Sequence, residues 1–183
     1  KDVAAFFNLA ILTAHRQILR YAAEKGLLDT PRTTFVAALM QDGAVSWVHC
    51  GDSRLYFVRE GELLARTRDH SYLEQAGNDK VKLAALGNNR NVLFTCLGSP
   101  IRPVFDVTGP VGLKEGDRLM LCSDGLWGSV QDTDIVYELT HKRLNDATPD
   151  LAEKALRNGG PHSDNVTVIS VEWETPDVFE SHR

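Results

Sequence analysis

Two turn signals in the N-terminal part of the chain constrain the fold more than any other feature. Asp42-Gly43 and Glu60-Gly61 each stand between two short β-prone runs, where such dipeptides favour tight hairpin turns. The runs joined in this way are residues 33–41, 44–50, 55–59 and 62–66. We therefore predict a four-strand antiparallel meander, which argues against a parallel sheet built from βαβ units.

Helical patterns precede and follow these strands. Apolar residues recur on one stripe over Val3–Lys25, and Gly26 is placed to cap the end of that helix. Two further helices are predicted over 133–143 and 149–158, with Pro149 in the first turn of the second. The remaining predicted strands are 92–96, 104–108, 118–122 and 166–173. Hairpin-connected strands flanked by helices indicate an α+β fold with antiparallel sheets.

Composition places the chain among ordinary globular proteins. Of its 183 residues 43% are hydrophobic, and its net charge of −5 disfavours binding to nucleic acid or to an anionic membrane. No apolar run approaches the roughly 20 residues that cross a bilayer. Three cysteines are too few for a disulfide framework, so we expect reduced, buried thiols in a cytoplasmic protein. The expected organisation is one domain over residues 1–174 and a tail over 175–183.

Two aspartates stand at the ends of predicted buried strands. Asp124 directly follows one strand, and Asp164 comes just before another. If those strands are antiparallel neighbours, both carboxylates emerge at the same edge of the sheet, where they repel each other unless a cation lies between them. A hard divalent ion such as Mg²⁺ or Mn²⁺ fits two such oxygen donors. Taken singly, each aspartate is more often an ordinary turn or cap residue than a metal ligand.

Four other polar residues follow predicted strands, and a fifth, His49, lies within one; each has two interpretations. Asp52 and Arg54 either bind a phosphate or pair with each other across a tight bend. Asp69 either binds a metal on a flap or caps a helix that begins at about residue 71, and His70 next to it is more often structural than catalytic. His49 would suggest zinc only with a second Cys/His pair at ligand spacing, and the sequence contains none.

Taken together and in order, six segments resemble the PPM family, the metal-dependent type-2C protein serine/threonine phosphatases, and within it the compact bacterial kind. The segments are Gly51-Asp52-Ser53-Arg54, Thr67-Arg68-Asp69-His70-Ser71, Arg90-Asn91-Val92-Leu93, Cys96-Leu97-Gly98, Ser123-Asp124-Gly125-Leu126-Trp127 and Ser163-Asp164-Asn165-Val166-Thr167-Val168. The resemblance covers roughly residues 30 to 173. It implies a β-sandwich of two antiparallel sheets flanked by helices, in α-β-β-α layers.

The resemblance also implies a role for each matched residue. Asp124 and Asp164 correspond to metal ligands, and Asp69 corresponds to an aspartate that helps to hold a more labile third ion. The residues implied as support for the site, rather than as ligands, are Asp52, Arg54, Ser123, Gly125 and Asn165. Residues 71–90 correspond to a variable flap that influences substrate access.

The activity implied by the resemblance is hydrolysis of phosphoserine and phosphothreonine in proteins. Two Mn²⁺ or Mg²⁺ ions, roughly 4 Å apart, would activate a shared water for in-line attack on phosphorus. No phosphoenzyme and no cysteine nucleophile are required. The resemblance further implies phosphorylated protein substrates, a signalling role beside a cognate serine/threonine kinase, and a monomer.

One family motif is missing from these residues. Family members carry, ahead of the first long helix, an Asp-Gly-His-Gly or Asp-Gly-Met-Gly motif whose aspartate bridges both metals, and an arginine that holds the substrate phosphate. We therefore expect a domain that is N-terminally incomplete. Either it is part of an active phosphatase, or it is a catalytically impaired pseudophosphatase that acts as a regulatory binding module. Three converging carboxylates favour the active enzyme, because unpaired carboxylates are costly to bury.

Overall fold

Two antiparallel sheets form the centre of the computed structural model, which describes residues 2–86 and 92–175. In chain order the elements are α1 (Val3–Lys25), β1 (Phe35–Gln41), β2 (Ala44–Cys50), β3 (Arg54–Arg59), β4 (Glu62–Arg66), α2 (Tyr72–Ala76), α3 (Lys80–Leu86), β5 (Asp106–Gly112), β6 (Arg118–Cys122), α4 (Asp124–Trp127), α5 (Asp132–His141), α6 (Leu144–Gly159), a 3-10 turn (Gly160–His162) and β7 (Val168–Glu172). The first sheet has the order β1-β2-β5 and the second β4-β3-β6-β7. The α+β class is confirmed.

Both predicted hairpin turns are present. Asp42 and Glu60 have φ of 53° and 51°, and each is followed by a glycine with positive φ, so β1 pairs with β2 and β3 with β4. The prediction of one continuous meander is wrong, because β2 and β3 belong to different sheets. The chain leaves the first sheet at Gly51, whose φ is 102° and where a Cβ atom would lie 2.6 Å from the side chain of Thr34.

Alternation of side chains along β3 joins three layers of the structure. Leu55 and Phe57 point between the two sheets, where Phe57 meets Trp47 of β2 edge-on at 6.2 Å between ring centroids. Tyr56 and Val58 point the opposite way, into the core beneath α4, α5 and α6. A strand buried on both faces reads as a continuous apolar run, as this one does.

Helices cover the outer face of each sheet. Phe7 and Ile11 of α1 pack against Val48 on the first sheet, and α1 ends at Gly26, which has φ of 60° and caps the last turn. The helices α4, α5 and α6 cover the second sheet, with Leu151 of α6 fully buried there. The predicted α-β-β-α layering is therefore confirmed.

Residues 92–96 do not form the predicted strand. Leu93 and Leu97 instead make isolated bridges to Ser71 and Thr33. This segment therefore connects the start of the flap with the residues just before β1. The predicted strand 104–108 lies further along, at Asp106–Gly112, because its pairing with β2 extends through Val111. The predicted strand 166–173 is shorter, at Val168–Glu172.

The second predicted C-terminal helix begins earlier than expected. It starts at Leu144, so Pro149 lies inside the helix on its exposed face and not in the first turn. The buried positions Ala147, Leu151 and Ala155 follow one another at intervals of four, and this stripe extends the helix before the proline.

Some predictions concern residues that the structure does not describe. They are the last residues of the flap, at 87–90, the first two residues of the segment that begins at Arg90, and the tail after residue 175. The flap is described as far as residue 86, where it contains α2 and α3.

Cys50 and Cys122 are buried and Cys96 is half-buried, each as a free thiol. Within residues 2–86 and 92–175, no helix combines the length and the apolar character needed to cross a membrane.

We expect Asp117→Asn to lower the free energy of unfolding by about 2–4 kcal/mol at pH 7. Asp117 is 1% exposed, and its carboxylate accepts two hydrogen bonds from Arg59, at 2.8 and 2.7 Å, and one from the Lys114 amide at 2.7 Å. Burial raises the pKa of Asp117, but these partners outweigh it and the net pKa is lowered. The stabilisation is present above the unfolded pKa and is lost as the pH falls through the folded one.

Urea unfolding of wild type and variant at pH 7 and near pH 3 measures this difference. Asp134→Asn is the matched control, because its ion pair with Lys154 leaves the aspartate side chain 46% exposed, and we expect a change within about 0.5 kcal/mol. Equal losses in the two variants would contradict the argument from burial.

Candidate active site

A cleft of about 340 Å³ opens beside the ends of β2, β4 and β6. Asp52 follows β2, Asp69 follows β4, and Asp124 begins α4 directly after β6, so strand ends from both sheets converge there. Arg54 and Trp127 complete the wall. Residues that are far apart in sequence thus line one acidic cleft.

The segment that contains Asp164 lies against the turn that carries Asp124. The amide of Ser123 donates to the Thr167 carbonyl at 3.0 Å, and the Thr167 amide donates back to the Ser123 hydroxyl at 3.0 Å. A Cβ at Gly125 would lie 2.4 Å from the Asn165 carbonyl oxygen, so glycine permits this approach. β6 and β7 are antiparallel neighbours, which is the condition under which the sequence places the two aspartates at one edge.

Asp69 is held in a buried ion pair. Its two carboxylate oxygens accept hydrogen bonds from Nε and Nη2 of Arg54, both at 2.8 Å, and the two side chains are 6% and 8% exposed. The guanidinium of Arg54 also lies 3.6 Å from the ring centroid of Trp127. A third ion at Asp69 remains a prediction, but it would compete with this pair. The helix that follows is capped by Ser71, whose hydroxyl accepts from the Glu74 amide at 3.1 Å.

Asp52 has a different environment from Asp69. Within the described parts of the chain, no cation forms an ion pair with its carboxylate. Burial, followed by the negative charges of Asp124 and Asp69, raises the pKa of Asp52 from 3.8 to about 6. The backbone carbonyl of Asp52 accepts a hydrogen bond from Trp127 Nε1 at 2.8 Å. A cation in the cleft would relieve the repulsion between Asp52 and Asp124.

The flap helix α2 is tied to the body of the protein by charged groups. Glu74 lies 3.4 Å from Arg66 and 3.6 Å from Arg68, and Arg66 in turn lies 3.2 Å from Asp132 at the start of α5. Glu74 also lines the cleft, together with Leu73 of the same helix. These contacts place α2 at the rim of the acidic cleft.

A histidine cluster that was not predicted from the sequence lies next to the residues that line the cleft. Donor atoms of His49, His70 and Asp106 lie within 4.8 Å of one another. Asp106 begins β5 and is the cross-strand partner of His49, so only the pairing of distant strands reveals the group. The expectation that His70 is hydrogen-bonded within the structure is met, since its ring contacts Gly51 and Asp106.

Comparison with known proteins gives consistent relatives, although no family model matches the chain. The chain is 32% identical over 176 residues to the serine/threonine phosphatase stp of Listeria welshimeri, covering 94% of this chain and 69% of that protein. It is 31% identical over 172 residues to the serine/threonine protein phosphatase PstP of Mycobacterium tuberculosis, covering 92% of this chain but 32% of PstP. The chain therefore spans about a third of PstP and about seven tenths of stp.

Solved structures show the same similarity. The crystal structure of M. tuberculosis PstP matches with a TM-score of 0.80 and 30% identity, covering 96% of this chain and 74% of that chain. A structure of the PstP catalytic domain in complex with two manganese ions matches with a TM-score of 0.76 and 30% identity, covering 93% of this chain and 71% of that chain. The two-sheet architecture is thus shared with these structures.

Proposed function

Because the chain belongs to the PPM-type serine/threonine protein phosphatases, we propose that it hydrolyses phosphoserine and phosphothreonine in proteins with the help of two divalent ions, Mn²⁺ or Mg²⁺. The observation that carries this proposal is the acidic cleft, in which burial and the negative charges of Asp124 and Asp69 raise the pKa of Asp52 to about 6. An all-oxygen donor set of this kind suits hard divalent cations. The similarity to a phosphatase domain solved with two manganese ions supports the same choice.

We assign the metal ligands by whether each carboxylate is exposed and whether its oxygens already accept hydrogen bonds. Asp124 and Asp164 are exposed at the edge formed by β6 and β7, which supports the role predicted from the sequence. Asp52 is a better candidate than Asp69 for a further ion, because the oxygens of Asp69 already accept two charged hydrogen bonds from Arg54. In this assignment Asp69 holds Arg54 in place, and Arg54 in turn packs against the Trp127 wall.

When bound, the ions would lower the pKa of a nucleophilic water and neutralise charge on the phosphoryl oxygens. The chain contributes the remaining parts. Arg54 neutralises Asp69, so the uncompensated negative charge of the cleft is concentrated on Asp52 and Asp124. Leu73 and Glu74 of α2 form the rim that a substrate peptide would meet.

Cys50 and Cys122 are poor candidates for a cysteine nucleophile. Burial raises the pKa of Cys122 to about 12 and also raises that of Cys50, so neither thiol is ionised near neutral pH. Cys122 faces the hydrophobic core beneath the C-terminal helices, away from solvent. Because these two thiols are not ionised, they favour direct attack by water over a covalent phosphoenzyme.

The expected outcome is release of inorganic phosphate from a phosphothreonine peptide that requires Mn²⁺ and stops on addition of a chelator. A phosphotyrosine peptide of the same sequence is the matched control, and we expect slower release from it. A folded chain that binds Mn²⁺ but releases no phosphate from either peptide would overturn the proposal and favour the regulatory binding module. Release that continues in the chelator would exclude the metal-dependent route.

The proposal also covers the substrates, the signalling partner and the oligomeric state of the protein. We propose cytoplasmic phosphoproteins as substrates, a signalling pair with a serine/threonine kinase, and a monomer. The net charge of −5 fits partners other than nucleic acid or anionic membrane. The relatives are themselves bacterial serine/threonine phosphatases, which supports the substrate class.

A further inference from the structure

His70 connects the ends of three strands by hydrogen bonds. The Gly51 amide donates to His70 Nδ1 at 3.2 Å, and the His70 amide donates to the Gly51 carbonyl at 3.0 Å. On the other side of the ring, Nε2 lies 3.2 Å from a carboxylate oxygen of Asp106. The ring is 5% exposed and is enclosed by His49, whose ring stacks on it at 4.5 Å between centroids, and by Phe94.

These contacts fix which ring nitrogen carries the proton. A backbone amide can only donate, so Nδ1 of His70 must accept, and a neutral imidazole then has its hydrogen on Nε2. That hydrogen points at Asp106, a carboxylate that can only accept when ionised. Asp106 therefore holds His70 in the Nε2–H tautomer.

The same geometry argues against a metal ion shared by the two histidines, although their donor atoms come close to each other. An imidazole nitrogen binds a metal in the plane of its ring. The rings of His49 and His70 are stacked at an interplanar angle of 23°, so one ion at bonding distance could not lie in both planes. Nε2 of His70 already donates to Asp106, and Nε2 of His49 lies 2.8 Å from the Arg68 carbonyl. The group is better described as a hydrogen-bonded anchor.

The anchor acts on the residues that line the cleft. Gly51, which has φ of 102°, directly precedes Asp52, and its amide donates to His70. Asp69, the residue before His70, holds Arg54. Asp52 lines the cleft together with two other carboxylates, Asp69 and Asp124, so a restrained backbone helps to keep its side chain there. The two hydrogen bonds between Gly51 and His70, one to the ring and one between backbone groups, supply that restraint.

We propose that His70, kept in its Nε2–H tautomer by Asp106, is a positioning residue that holds Asp52 in the cleft through the Gly51 amide. This inference rests on the proposed function, since it assigns Asp52 to the metal-binding face of the cleft. His70 itself touches neither the metal nor the substrate. His70 instead determines how firmly the Asp52 side chain is held in the cleft before a metal ion binds.

Two substitutions separate the two sides of the ring. In His70→Asn the side-chain oxygen occupies about the place of Nδ1 and can still accept from the Gly51 amide. In His70→Gln the longer amide reaches toward Asp106 and leaves Gly51 without its acceptor. We expect the Gln variant to lose Mn²⁺ affinity by about tenfold or more, and the Asn variant to lose clearly less. Calorimetric titration with Mn²⁺ measures both affinities without any phosphatase assay.

The hydrogen bond can be tested directly by NMR. In the isotope-labelled wild-type chain we expect a scalar coupling between the Gly51 amide nitrogen and His70 Nδ1, and Asp106→Ala should weaken it. Absence of this coupling in the wild type, equal Mn²⁺ affinity of the Asn and Gln variants, or no Mn²⁺ binding by the wild type would each overturn the inference. A wild type that binds Mn²⁺ and shows the predicted order of variants, but releases no phosphate, would overturn only the proposed phosphatase activity.

Discussion

Asp124→Asn should reduce Mn²⁺-dependent phosphate release by at least about a hundredfold while leaving the protein folded. Loss of a group that only orients a metal ligand typically lowers metal affinity or activity by about 10–100-fold, and loss of a ligand itself should exceed that. Asp124 is exposed, so replacing its charge with an amide of the same shape leaves the core beneath Leu126 intact. Phosphate release from a phosphothreonine peptide at saturating Mn²⁺ measures the effect, and circular dichroism checks the fold.

Asp146→Asn provides the matched control for this variant. Asp146 is an exposed acid in the first turn of α6, just as Asp124 is in the first turn of α4, so both changes remove a similar helix-terminal charge. We expect normal turnover in Asp146→Asn. Near-normal turnover in Asp124→Asn would remove Asp124 from the site, and an equal loss in both variants would point to helix stability instead.

Local turn chemistry was predictable from the sequence, whereas the division of strands between sheets was not. The hairpin at Asp42-Gly43 depends on two residues that tolerate positive φ, and this preference is contained in the dipeptide itself. The separation of β2 from β3 depends on which distant strands each one meets. β2 gains β5 as a neighbour and β3 gains β6, and no short segment encodes those pairings.

In the site, as in the fold, the sequence shows which residues are close along the chain but not which distant residues meet. One of the two interpretations that the sequence left open pairs Asp52 with Arg54, two positions away. In the structure Arg54 reaches Asp69 instead, and Arg68, the neighbour of Asp69, lies nearest to Glu74. Each carboxylate stands after a strand and near an arginine, so the pattern alone could not say which one is neutralised. Only the antiparallel pairing of β3 with β4, which brings Arg54 beside the segment after β4, resolves the choice.

Asp69→Asn and Asp52→Asn are expected to change stability in opposite directions. Asp69→Asn removes the charged partner of Arg54, whose side chain is 8% exposed, and breaking a buried pair in this way costs about 3–5 kcal/mol. Asp52→Asn removes a carboxylate whose ionised form is disfavoured by burial and by the charges of Asp124 and Asp69. We expect it to raise the free energy of unfolding by about 1–2 kcal/mol at pH 7, after allowance for solvent screening.

The pH dependence of the Asp52 effect has a definite sign. The pKa of Asp52 is raised from 3.8 to about 6 in the folded protein, so between these values the folded state binds more protons than the unfolded state. Stability of the metal-free wild type should therefore fall as the pH rises through this window. Asp52→Asn should abolish that part of the decline, and the two proteins should have similar stability below pH 3.8.

Mn²⁺ should reverse the order of stability at neutral pH. An ion that binds only the folded state stabilises it in proportion to its affinity, so the wild type should gain more from Mn²⁺ than Asp52→Asn does. Asp69→Asn should still gain from Mn²⁺ despite its lower starting stability, because Asp52 and Asp124 are unchanged. Urea unfolding of the three proteins with and without Mn²⁺ tests this. If Asp69→Asn lost the gain from Mn²⁺ while Asp52→Asn kept it, the ligand would be Asp69, as the sequence resemblance first implied, and the Arg54 pair would have to open to admit the ion.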